Sequence, residues 1–511
     1  MKKIKTRFNV NEIKNDLCSY TRGLIPTYRV WVVVKSIVEH ANAILGMQCN
    51  TIVFSHKHDK FWWTWSNKEI IEVGKQIWEK TKTKPEREKH FNMLIELCKN
   101  AVKASERIIN TDLGVLDNEQ LVTLHKTFYD ECKEAHAVLT LDVDAVDIEP
   151  VRKLNQMLRT ELQSNGVVNE QEFNKIYSQL VAPIYTSFVS REEAEMLKLL
   201  LQLQNGGVGV DFIEDSNYYS VLITLIHNFW WTSLGWENMD VRDIDDYINS
   251  LKEYEKNCQN IIARIVLIES HDELIRAQRE ELFVKYNLSS EIKNRLEFFD
   301  TYAYIHDYRK EMQVRTVYGF HQFLKEFSCR LKIDVKILDN YNYDEIYDFL
   351  AGKKTINDSE NKKRKTAQVL LTKYGEIEQY SGEEALTIIN QLWDLKVENN
   401  LEISGVCSSS GNAIGMVKIC SGAKEALEKI RKGDILVCGM TLPDYVPAMR
   451  KAAAIVTDEG GITCHAAIVA RELKIPCITS AKIATQTLKD GMIVEVDADH
   501  SIVRIIKQPE V

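Results

Sequence analysis

No proline occurs between Pro183 and Pro443, and the glycines divide unevenly at about residue 400. Residues 1–399 hold 13 of the 22 glycines, while the much shorter segment 400–511 holds the other 9. Proline blocks a helix interior and glycine weakens one, so a long stretch sparse in both can run as helix after helix. Where the two return together they punctuate turns. The distribution predicts a multidomain α + α/β protein. A large, mostly helical region would occupy residues 1–399, with a compact β/α unit over residues 400–511.

Periodicity agrees with this division. In "HFNMLIELCKNAVKASERII", Phe91, Leu94, Ile95, Cys98, Val102 and Ile109 share one helical face. "SREEAEMLKLLLQLQ" places Ser190 and Glu193 in a capping-box arrangement ahead of an apolar run. Further helices are predicted around 115–138, 145–163, 169–180, 241–256, 258–285, 288–308, 311–328 and 383–397. After residue 400 the runs shorten to "GMVKIC", "DILVC", "AAIVT", "PCIT", "MIVEVDA" and "SIVRII", which read as strands. Helices over 423–431 and 444–451, and one starting at His465, fall between them. Two polar stretches look like joints: the basic segment 351–366 and the serine-rich segment 397–412.

Composition narrows the function classes. A net charge of −9 argues against a nucleic-acid partner, which would want a basic face. The 11 cysteines form no C-x-x-C pair, the pattern of reduced thiols and not of a disulfide frame or a zinc site. The basic start "MKKIKTRFNVNEIK" has no apolar core behind it, and "YRVWVVVKSIVEHANAIL" is broken by Lys35, Glu39 and His40. A cytoplasmic protein with no membrane span is expected.

The densest chemistry lies in "TDEGGITCHAAIVARE", Thr457 to Glu472. Gly460 and Gly461 allow a tight turn, and His465 follows at the mouth of a helix. Free N–H groups and the positive dipole end at such a place favour an anion, and a phosphoryl group on the imidazole would sit there. The Thr463 hydroxyl could bond a phosphate oxygen or orient the ring. On the residues alone two readings stand: a polar residue beside a cap, or a nucleophile that divides one hard transfer into two easier ones. No metal-ligand spacing surrounds the histidine.

The run "GDILVCGMTLPDYVPAMRKAAAIVTDEGGITCHAAIVARELKIPCIT", with "LKDGMIVEVDA", resembles the phosphohistidine (swivelling, or mobile) domain of the PEP-utilising enzymes. That group includes PEP synthase, pyruvate phosphate dikinase and rifampin phosphotransferase. Gly460, Gly461, Thr463, His465, Ala466, Ala467, Ala470, Arg471, Glu472 and Pro476 fall in register with the family pattern. The resemblance implies that His465 is phosphorylated during turnover, with Gly460, Gly461 and Cys464 shaping the phosphate seat and Thr463 assisting. Cys464 stands where many members carry serine. For Arg471, six positions from His465, a structural ion pair with an acidic neighbour is expected.

Neither the ATP-grasp domain nor the PEP barrel of such enzymes is legible elsewhere in the sequence. The order of a helical region before the histidine domain is similar to that in rifampin phosphotransferase, where the helical part binds substrate. The resemblance thus implies a phosphotransferase component. A separate ATP-grasp or PEP-binding protein, using ATP and Mg²⁺, would load His465, and a small-molecule acceptor would bind the helical region. The alternative is a phosphocarrier or regulatory relay with no small-molecule site of its own. "FWWTWSNK" and "HNFWWTSLGW" hold six of the nine tryptophans, either as core packing or as pocket wall. His125, His136, His227, His306 and His321 read as structural, with His306–Asp307 and His271–Asp272 as acid–base candidates.

Overall fold

The long proline-free stretch is organised around one 42-residue helix, Ser290–Leu331. A computed structural model describes residues 10–508, apart from 15, 24, 42–45, 47–48, 59, 237–238, 259, 374, 394–401, 442–444 and 462–463. The two helices predicted over 288–308 and 311–328 are a single element, because no residue between them interrupts the hydrogen-bond ladder. Ser289 caps it by accepting from the Ile292 N–H, and Lys332 closes it in a left-handed conformation at φ 55°. Buried residues are spread around the helix, as befits a central element. The helix Asn118–Val146 crosses it so closely that a Cβ on Gly319 would lie 2.8 Å from the Phe128 ring. The single helix predicted over 258–285 is instead two, Ile261–Glu269 and His271–Lys285, divided at Ser270.

The helical region also carries a five-stranded antiparallel sheet that the periodicity did not reveal. Its order is Leu17–Gly23, Lys60–Ser66, Ile52–Lys57, Ala367–Lys373 and Glu376–Ser381. Both faces of its middle strands are covered. Phe61, Trp63 and Trp65 enter the main core, while Val53 and Val369 pack with Ile388 and Ile389 of the helix Gly382–Leu392 on the other side. A strand apolar on both faces loses the alternation by which strands are recognised. Within the basic segment 351–366, residues Asp358–Thr366 form a helix that leads straight into the fourth strand, anchored by Arg364 to Glu345 at 2.7 Å.

Past residue 400 the chain builds an eight-stranded mixed sheet. Its order is Glu402–Ser404, Ile502–Lys507, Ile493–Asp497, Asn412–Ile419, Ile435–Cys438, Ala454–Thr457, Cys477–Thr479 and Val406–Ser409. The four strands from Asn412–Ile419 to Cys477–Thr479 run parallel, and the rest pair antiparallel. The first and last strands in this order are chain neighbours on either side of Gly405, so the sheet curls back on itself. Part of the polar joint over 397–412 lies outside the described residues.

The two regions meet along the helices Glu170–Leu180 and Phe188–Asn205. The cap of the latter is Ser187, not Ser190. Ser190 and Glu193, expected as a capping box, reach across the seam instead. The Ser190 hydroxyl donates to Glu472 at 2.6 Å, and Glu193 binds Arg450 at 2.8 Å while also holding Arg264 at 2.9 Å. Asn174 donates to the Asp499 carbonyl at 3.0 Å.

Two outcomes follow from this packing. Gly319→Ala should destabilise the protein by roughly 1–3 kcal/mol through overpacking against Phe128, read by denaturant unfolding. His56, His125, His136 and His321 are held neutral by burial, pushed down to about 4, 3, 4 and 3. Their pKa values lie below the unfolded value of 6.5, so the unfolded chain takes up protons first. Stability should be full above pH 6.5 and fall as pH drops from there to about 3, read by unfolding midpoints across that range.

Candidate active site

The turn after the strand Ala454–Thr457 sets the position of His465. Gly460 has φ +95°, and a Cβ there would lie 2.7 Å from the Cys464 sulfur, so glycine is required on both counts. Gly461 lacks a positive φ, and a Cβ there would make only an ordinary contact with the Asp147 carbonyl at 3.4 Å, so neither conformation nor crowding requires glycine at this position. The Ser480 hydroxyl pins the turn by donating to the Gly460 carbonyl at 2.7 Å. Cys464 is the N-cap residue and His465 the first residue of the helix His465–Leu473.

His465 is 5% exposed. Its Nδ1 lies 2.8 Å from the Thr441 hydroxyl, while Nε2 is buried with no hydrogen-bond partner among the described residues. In the tautomer whose Nδ1 proton is donated to Thr441, Nε2 carries the lone pair. Burial, reinforced by the Lys310 ammonium, pushes the imidazole well below its usual range, so the ring stays neutral. Thr463 lies outside the described residues. Thr441 is the hydroxyl that orients the ring.

His465 lines a small cavity at the seam, about 40 Å³ in volume, that opens partly to solvent. The helix Ser290–Leu331 contributes His306, Arg309, Lys310 and Gln313. Asp144 and Asp147, at the end of the helix Asn118–Val146, face them, with Glu459 beside the turn. Trp65 holds Asp144 by donating its indole N–H at 2.9 Å, and Arg309 approaches the same carboxylate at 3.4 Å. His306 Nε2 lies 3.8 Å from Asp147 Oδ2.

Several expectations change here. His306 pairs with Asp147 rather than with its sequence neighbour Asp307. Asp307 accepts from the Phe188 N–H at 2.8 Å, and burial raises its carboxyl to about 6. His271 contacts the Pro183 carbonyl at 3.0 Å and lies outside the cavity lining. Of the tryptophan patches, Trp236 lines the cavity and Trp65 braces Asp144, while Trp62 stacks on Trp393 and Trp231 packs on Phe188. Cys464 borders the cavity as a neutral thiol, since burial lifts it to about 11. The guanidinium nitrogens of Arg471 are buried without a hydrogen-bond partner among the described residues, near Cys407, Cys464, Cys477 and Tyr177, so the expected ion pair is not formed. His306, Arg309, Lys310 and Gln313 share one helical face at i, i+3, i+4 and i+7, a pattern the sequence carries but does not distinguish from a solvated face.

Comparison with known proteins bears on this region. The family model described as "PEP-utilising enzyme, mobile domain" matches residues 430–501. Residues 430–501 form a PEP-utilising enzyme mobile domain. A probable phosphoenolpyruvate synthase of Archaeoglobus fulgidus is 52% identical over 118 residues, 22% of this chain and 16% of that protein. A phosphoenolpyruvate synthase of Aeropyrum pernix is 53% identical over 106 residues, 21% of this chain and 13% of that protein. An uncharacterized phosphotransferase, YvkC of Bacillus subtilis, is 42% identical over 113 residues, 22% of this chain and 14% of its own length. The chain therefore spans under a fifth of the length of these relatives. Among the described residues no helix is long and apolar enough to cross a membrane, and no group of three or more His, Cys, Asp or Glu side chains is arranged to hold a metal ion.

Lys310→Met should raise the His465 pKa toward, but not to, 6.5, because burial remains the larger cause. NMR titration of the imidazole reads this, and an unchanged or lowered value would remove Lys310 from the site's electrostatics.

Proposed function

We propose that the protein is a phosphotransferase component in which Nε2 of His465 carries a phosphoryl group to an acceptor held by the helical region. The observation that carries this reading is the cavity at the seam. It sets an unpartnered, neutral imidazole nitrogen of the mobile domain among Arg309, Lys310 and His306 of the helical region. Such a site needs alignment and charge stabilisation more than covalent chemistry of its own. Thr441 holds the ring. Lys310 faces His465 and offsets the charge of the phosphoryl group, while Asp144 anchors Arg309 beside it. The N-terminal N–H groups of the helix His465–Leu473 add a further anion-stabilising end.

A nearly buried His465 cannot be loaded by a second protein while the mobile domain sits in this position. Loading therefore requires the seam to open, with the mobile domain swinging to a donor and back. A separate ATP-grasp protein, with ATP and Mg²⁺ bound in its own site, is the donor that the reading calls for; a PEP-binding protein is the other candidate. The seam suits such motion. Its polar clasps are few, and Glu193, Arg450 and Glu472 can all be rehydrated when it parts.

The test uses the full chain with a candidate donor protein, labelled ATP and a fractionated small-molecule extract. Acid-labile label should appear on the wild type and not on His465→Ala, and should pass to a small molecule. Lys310→Met should slow that passage about 10²–10³-fold, the usual cost of removing one charge-stabilising donor. Label that loads but never leaves would replace this reading with a phosphocarrier, and absence of loading by any donor would remove the transfer function.

A further inference from the structure

We infer that Asp147 and His306 form the proton-accepting pair of this site, and that the acceptor it serves is a neutral hydroxyl compound. The inference rests on the acceptor-site reading above and deepens it.

Placement comes first. His306 lies one helical turn before Lys310 on the helix Ser290–Leu331, and Asp147 lies one residue beyond the helix Asn118–Val146. The His306 ring and the Asp147 carboxylate are 3.8 Å apart, with side chains 6% and 13% exposed, and both line the cavity that holds His465. A carboxylate behind an imidazole orients the ring and stabilises the cation formed when it takes a proton. Such pairs are often loose without substrate and tighten around it. The other carboxylates nearby have different work. Asp144 receives Trp65 and Arg309, and Asp307 receives the Phe188 N–H.

Charge then selects the acceptor. The cavity wall carries three carboxylates, Asp144, Asp147 and Glu459, against two fixed cations, Arg309 and Lys310. With His306 and His465 neutral, the wall has one more negative charge than positive. The incoming phosphoryl group adds roughly 1.5–2 further negative charges. A carboxylate or phosphate on the acceptor would deepen that excess in a partly buried space, where like charges repel strongly. A neutral hydroxyl adds none, and Leu234, Trp236 and Val314 offer an apolar wall for its carbon skeleton.

The step balances without a further reactant. The acceptor oxygen forms a bond to phosphorus as the Nε2–P bond breaks, and that bond's electron pair stays on Nε2. The hydroxyl proton moves to His306, whose positive charge Asp147 then holds. Nothing is oxidised or reduced.

The test starts from the full chain phosphorylated on His465 with phosphoramidate, so that no donor protein is needed. Loss of the phosphoryl group is followed by ³¹P NMR, first to water and then to added glycerol or glycerate. Phosphohistidine is acid-labile, so unassisted loss slows as pH rises. With the pair acting, loss from the wild type should instead quicken through the neutral range. His306→Gln and Asp147→Asn should each lower the neutral-pH rate about 100-fold and restore the acid-labile profile. Glycerol should accept at least about tenfold better than glycerate. Unfolding midpoints confirm that both variants fold, and either one suffices. Variants that keep the wild-type profile, or glycerate accepted as readily as glycerol, would overturn the inference. Arg450→Glu, which breaks the seam, separates this failure from that of the acceptor-site reading. If opening the seam abolishes the neutral-pH rate while the two variants do not, the site stands and the pair is wrong. If opening the seam changes nothing, the acceptor-site reading falls and the inference with it.

Discussion

The hydrogen bond between the Thr441 hydroxyl and His465 Nδ1, 2.8 Å long, joins two segments of the mobile domain 24 residues apart in sequence. It engages one ring nitrogen and leaves the other, Nε2, buried with no partner among the described residues. A buried nitrogen without a partner is costly, roughly 1–3 kcal/mol, and persists only where the surroundings over-determine it. Here they do so from three sides. Gly460 makes the turn, Cys464 starts the helix, and the cavity wall of the helical region closes over the ring. Burial that would silence a charged histidine keeps this one neutral, and neutrality is what a nucleophilic imidazole needs.

The parts of the molecule legible from sequence were those whose physics is local. A turn that needs glycine, a helix that begins at a histidine and a proline-free helical stretch each follow from neighbouring residues. So the mobile domain and the helical character of the rest could be read directly. The five-stranded sheet could not, because its middle strands bury both faces and Lys60–Ser66 appears as an aromatic run without alternation. The cavity was equally hidden. Asp144, Asp147, Lys310 and His465 come together only through tertiary packing, and each alone resembles a solvated or structural residue. Thr441 was hidden for the same reason: its partner lies 24 residues away, beyond a helix and a strand.

Ser190 and Glu193 show how local and long-range demands compete for the same side chains. Their spacing satisfies a capping box, yet Ser187 takes the cap and frees both for the seam. A capping hydroxyl contributes on the order of 1 kcal/mol, and another serine three residues upstream supplies that equally well. Glu193 has no such substitute. It is nearly buried between Arg264 and Arg450, and a buried carboxylate without its cations would be far more costly than a lost cap.

The seam also places two carboxylates from different regions on one helix end. Asp307, from the central helix, accepts the Phe188 N–H, and Glu472, from the mobile domain, accepts the Ser187 and Ser190 hydroxyls. Burial raises the pKa of both, and the positive end of the helix Phe188–Asn205 offsets part of that cost. Asp307 belongs to the same rigid element as Lys310 and His306, so the helix end that receives Glu472 is fixed relative to the cavity wall. Glu472 in turn lies seven residues along the helix that begins at His465. One short chain of contacts thus sets the register between imidazole and cavity. Because it is made of polar groups that water can satisfy, it can hold that register firmly and still release it.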